Sequence, residues 1–144
     1  MDARDFCVLA GFLATRTDAA ACRSAISRAY YSLFHVIYQY MISNSVPMPK
    51  KSAECHDKVY KILFNCRDED LKKIALRLND LRSRRNEADY DLKAPGVEMP
   101  GTARTLVEMA KRATESFDRY CQDTPKIDLA MIAARKHARF LGMQ

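Results

Sequence analysis

Four glycines and five prolines in 144 residues are too few for a loop-rich all-β architecture, and no apolar run is long enough to span a bilayer. The five cysteines, Cys7, Cys22, Cys55, Cys66 and Cys121, are odd in number, scattered, and contain no Cys-x-x-Cys pair. That spacing argues against both a disulfide framework and a zinc site. A Gly-rich phosphate loop, a His-Glu-x-x-His and the Glu-x-x-His pair with which helix bundles hold two metals are all missing. No metal and no cofactor is therefore expected. His35, His56 and His137 fall on separate predicted helices. The start, Met1-Asp2-Ala3-Arg4-Asp5, is acidic where a signal peptide would be basic, and the apolar stretch from Phe6 to Ala14 is short and interrupted by Gly11. The expected compartment is the cytoplasm, with no membrane contact.

What is present is a globular composition, 48% hydrophobic and 29% charged, in a chain that fits a single domain over 1–144. A net charge of +6 and a pI near 9.1 permit contact with nucleic acid or an acidic partner. Apolar spacing of three and four predicts helices throughout. A first covers about Asp2 to Ala14, with Phe6, Leu9, Ala10 and Leu13 on one side, and Thr17 or Asp18 caps a long second helix from about Ala19 to Ser43. That helix carries Ile26, Tyr30, Leu33, Phe34, Ile37 and Met41 on one side and Arg28, Tyr31, His35 and Tyr38 on an adjacent one.

After a break with Pro47 and Pro49, Ser52 is placed to cap a third helix over about Ala53 to Asn65. Asp68, Glu69 and Asp70 open a fourth, which reaches about Tyr90. A fifth runs from about Thr102 to Cys121. Thr124, followed by Pro125, is placed to cap a C-terminal helix over about 125–141, with Arg135, Lys136, His137 and Arg139 as a basic strip. The expected fold class from these patterns is all-α, with the long second helix at the centre of a bundle.

The fourth helix holds the most informative segment. Its stripe of Leu71, Ile74, Ala75, Leu78 and Leu81 continues at the same phase onto Arg85, Ala88 and Asp89. Charges on an inward line must be paired, hydrogen-bonded or open to a cleft, because an isolated buried charge costs more than a small domain tolerates. Arg85 and Asp89 are four apart, so an intrahelical ion pair that seats Tyr90 at the helix end is one reading. Arg82 and Arg84 are not explained by that pair and are candidates for phosphate contact.

Ser24-Ala25-Ile26-Ser27-Arg28-Ala29-Tyr30-Tyr31-Ser32-Leu33-Phe34-His35, followed by Arg84-Arg85-Asn86-Glu87-Ala88-Asp89-Tyr90-Asp91, resembles the HEPN domain family, in particular its small stand-alone prokaryotic branch. The resemblance runs from the first helix to about Cys121. It implies an up-and-down antiparallel bundle of four to five main helices, core about 2–121, plus the C-terminal helix over about 125–141, and a homodimer that associates with RNA or nucleotide, often encoded beside a minimal nucleotidyltransferase. Many such proteins are metal-independent endoribonucleases of toxin–antitoxin or defence type. The alternative expectation is a non-catalytic interaction module that holds a nucleotidyltransferase or antitoxin partner. Active members carry an arginine followed after four to six residues by a histidine. Here Arg84 is followed after four, and Arg82 after six, by Asp89.

An aspartate thus stands where the resemblance implies histidine, and with an ordinary pKa of about 3.9 it is a weak base at neutral pH. Under the enzymatic reading Arg84 and Arg85 contact phosphate and the transition state, Asn86 positions substrate, and Asp89 with Tyr90 holds the arginines or assists proton transfer. Arg82, Arg28, Tyr31 and His35 are the expected substrate-binding residues.

Overall fold

The apolar periodicities resolve into helices in the computed structural model, which describes residues 1–142. Six α-helices follow in chain order: α1 (Asp5–Leu13), α2 (Ala19–Ser43), α3 (Ser52–Phe64), α4 (Glu69–Tyr90), α5 (Pro100–Gln122) and α6 (Thr124–Phe140). One turn of 3₁₀ helix, Gly96–Glu98, precedes α5, and no strand occurs among the described residues. The protein is an all-α helical bundle. No described helix is long and apolar enough to cross a membrane.

The chain divides into two compact units, and α2, α4 and α5 each contribute to both. The first unit comprises Met1–Val36 and Arg77–Thr114. Ala25, Ile26, Ala29, Tyr30 and Leu33 of α2 and Leu78, Leu81 and Ala88 of α4 are buried there, with Val97, Ala103 and Ala110. Each fully buried leucine or isoleucine contributes about 1.5–3 kcal/mol. α1 departs from expectation. Ala10 is its one buried residue, flanked by buried Ala3 and Ala14, whereas Leu9 is 44% exposed and Phe6 and Leu13 are half-buried. The inward side of α1 is thus built from alanines, and the ring of Phe6 covers polar groups instead.

The second unit comprises Ile37–Leu76 and the described chain from Glu115 onward. Here α3 packs against α6, and Val59, Ile62 and Leu63 are buried, as are Ile127, Met131, Ala134 and Ala138. Arg135 of α6 donates to the carbonyl of Asn44 at 2.9 Å, satisfying an acceptor left over at the C-terminal end of α2. Burial pushes the Cys66 thiol up to about 12, so it stays protonated and inert.

Helix starts follow side-chain chemistry, with two corrections. Asp18 accepts from Ala21 N at 3.3 Å, and Asp68 accepts from Asp70 N and Leu71 N at 2.9 and 3.1 Å. Asp123, not Thr124, caps α6 by accepting from Lys126 N, which moves Thr124 into the first helical turn. Ser52 is likewise already helical, and the residue at the cap of α3, Lys51, makes no side-chain cap bond.

Candidate nucleic-acid interface

The inward phase that carries Leu78 and Leu81 of α4 does deliver Arg85 to the interior, only 6% exposed. Its guanidinium lies 5.2 Å from the ring centres of Tyr30 and Tyr31 and 5.6 Å from that of Tyr90. Three electron-rich ring faces offset part of the cost of burying this cation. Nη1 donates to the Tyr90 hydroxyl at 3.3 Å and lies 3.8 Å from Asp89 Oδ2, whereas the buried Nε has no hydrogen-bond partner. Burial raises the Tyr30 phenol well above its usual range against the opposing pull of Arg82 and Arg85, so that ring remains a neutral π surface.

Asp89 is held from a second side. Ser27, buried on α2, donates its hydroxyl to Asp89 Oδ2 at 3.0 Å and accepts from Arg28 Nη2 at 3.3 Å. Arg28 in turn lies over two rings, 5.0 Å from Tyr31 and 5.2 Å from Phe6. His35 joins the same group, its ring stacked at 5.9 Å on Tyr31 and 6.0 Å on Phe6 and edge-on to Phe34 at 5.1 Å. Burial, and then the nearby Arg28 cation, lower the His35 pKa, so the imidazole is neutral at pH 7.

The result is an alternation of cations and rings: Tyr90, Arg85, Tyr31, Arg28, Phe6, with His35 against the last two rings. Tyr31, Arg28, His35 and Phe6 are partly open to solvent, and Tyr90 is 76% exposed. Helix geometry explains the convergence. Arg28, Tyr31 and His35 recur at three and four along α2, while Arg85 and Asp89 recur at four along α4.

Not every expected residue joins the group. Arg84, one position from Arg85 and so about 100° around the helix, pairs with Glu87 at 2.9 Å. Its Nη2 lies 3.5 Å from where a Cβ on Gly96 would sit, which places it by the loop before α5. Asn86 is exposed. Arg82 is half-buried and close enough for its charge to act on Tyr30.

Arg23, absent from the sequence reading, holds the end of α4. Nη1 donates to the carbonyls of Glu87, Ala88 and Asp91 at 3.3, 2.9 and 2.9 Å, and Nη2 donates to Ala94 O at 3.1 Å. Nε donates to Glu98 Oε1 at 2.9 Å, and Nη2 lies 2.8 Å from the same oxygen. α4 has no basic residue in its own last turn, so Arg23 supplies the cation that its dipole favours. The signal was available: stepping the α2 stripe back three from Ile26 lands on Arg23, the same break that drew attention to Arg85. Ser27 and Phe6 carried no such signal.

Comparison with family models, with curated proteins and with solved structures returned no match to the chain. Among the described residues no group of three or more histidine, cysteine or acidic side chains could hold a metal ion. The chemistry the arrangement can perform is that of its own residues. Arginine heads can meet phosphate, ring faces can stack on bases, and a neutral imidazole can accept a proton.

Proposed function

We propose that the chain is an RNA-associated helical domain of HEPN type that holds single-stranded RNA along the ladder of rings and arginines in its first unit. The observation that carries this reading is the alternation of Tyr90, Arg85, Tyr31, Arg28 and Phe6. Proteins that bind single strands combine cations for the backbone with aromatic faces for the bases, each stacked base contributing about 1–3 kcal/mol. Arg28 and Arg82 are the phosphate contacts, the exposed Tyr90 is the stacking face, and Tyr31, in contact with both Arg85 and Arg28, positions the two arginines. A net charge of +6 supports the association. Fluorescence anisotropy with a labelled single-stranded RNA at low salt, comparing parent with Arg28→Ala/Tyr31→Ala, tests it.

A second reading, metal-independent endoribonuclease, draws on one further observation. Arg28 and His35 lie two turns apart on one side of α2, against the same two rings, and His35 is neutral. Imidazole would take the proton of a ribose 2′-hydroxyl as its oxygen bonds to phosphorus and would return it to the departing 5′-oxygen as the P–O5′ bond breaks, leaving a cyclic phosphate, while arginine stabilises the charge developing on phosphorus. Asp89, engaged by Ser27 and Arg85, then holds the arginine and moves no proton. RNA cleavage in EDTA by the parent and not by His35→Ala tests this reading. The homodimer and a nucleotidyltransferase or antitoxin partner rest on the resemblance, and sedimentation and co-expression test them.

A further inference from the structure

α6 is apolar on two sides. One side, Ile127, Ala130, Met131, Ala134 and Ala138, is buried in the second unit, where α6 packs against α3. The other carries Leu129, Ile132 and Phe140, which are 69%, 56% and 82% exposed. Scattered exposed apolar residues are ordinary, but three large ones aligned on one helix mark an interaction surface. Leu129, Ile132, Lys136 and Arg139 follow one another at three, four and three, the spacing of the a and d positions of a helix-pairing seam, and Phe140 adjoins them. The Phe140 ring stacks on His137 at 5.9 Å.

We infer that this outward side of α6 is a docking seam for an acidic amphipathic helix of a partner protein. Charge selects the occupant. Two of the four seam positions are cations, so a partner must place carboxylates opposite Lys136 and Arg139 while it buries Leu129, Ile132 and Phe140. A parallel second copy would set Lys136 against Lys136 and Arg139 against Arg139, and α6 has one acid of its own, Asp128. Regular helical spacing favours a helix with the matching repeat over a bilayer, which needs no register. The seam belongs to the second unit and stands independently of the RNA reading.

The test uses the full chain and two synthetic three-heptad helical peptides with leucine at the a and d positions except those facing Lys136 and Arg139, which are glutamate in one peptide and lysine in the other. Anisotropy should show the glutamate peptide binding roughly tenfold more tightly or better. Leu129→Ser/Phe140→Ser should abolish binding with the melting curve unchanged, since both side chains are exposed, and Lys136→Glu/Arg139→Glu should invert the preference. Equal affinity for the two peptides, absence of binding to the glutamate peptide, or binding that survives Leu129→Ser/Phe140→Ser overturns the inference. So does self-association lost in Leu129→Ser/Phe140→Ser, which would make the occupant a second copy. Sedimentation with phosphatidylglycerol vesicles that requires Leu129 and Phe140, without peptide binding, would make it a bilayer.

Discussion

Ser27 and Asp89, 62 residues apart in the chain, meet at 3.0 Å, the serine hydroxyl donating to the carboxylate oxygen that also lies 3.8 Å from Arg85. Because Arg28 donates to the same serine, the two arginines of the ladder are joined through Ser27 and Asp89. A carboxylate bound on both sides orders its neighbours. Ser27→Ala removes one neutral-donor bond to a charged acceptor and should lower stability by about 1–2 kcal/mol, read from urea denaturation midpoints. Asp89→Asn, which keeps the shape and removes the charge, should leave Arg85 buried among three rings without a counter-ion and cost more than Ser27→Ala.

Arg23 ties the end of α4 to Glu98. Arg23→Met leaves the carbonyls of Ala88, Asp91 and Ala94 without their donor and Glu98 without its cation, a loss of about 3 kcal/mol or more. Glu98→Gln should cost under about 1 kcal/mol, because the Arg23 guanidinium still donates to the carbonyls of Glu87, Ala88, Asp91 and Ala94 and Glu98 is partly solvated. Thermal melts should separate the two variants by several degrees.

The helices were legible because apolar spacing repeats over many residues, and burial of one side decides them. Arg85 was legible for the same reason, as a charge on an apolar line. The details lost were those decided by contacts distant in sequence. Leu9 faces outward because alanines, not large side chains, form the inward line of α1, and Arg84 turns to Glu87 and Gly96 although it looks equivalent to Arg85 in the string. Caps slipped by one residue where neighbouring polar side chains compete for the same amide, as with Asp123 and Thr124.

His35 sets a pH dependence. Burial lowers its pKa from the ordinary 6.5, so the folded state binds a proton less readily than the unfolded chain. Its contribution to stability is complete above the unfolded value and is lost as pH falls through the folded one. Acid titration should therefore weaken the parent below about pH 6.5 more steeply than His35→Gln. An imidazole NMR titration of His35 should give a midpoint below 6.5.

Core and surface leucines should respond differently. Leu81→Ala, at a fully buried site, should cost about 2–5 kcal/mol, whereas Leu129→Ser, at an exposed one, should stay within about 0.5 kcal/mol of the parent. Urea denaturation of the two variants beside the parent measures both.

The most direct test of the central claim is the affinity of the parent and of Arg28→Ala/Tyr31→Ala for single-stranded RNA, measured across a salt series with circular dichroism to match their folds. The account predicts binding that weakens as salt rises and that falls roughly tenfold or more in the double variant, the effect of losing one phosphate-contacting cation and the ring that positions it. Equal affinity of the two folded proteins, or no binding by the parent at low salt, would contradict it.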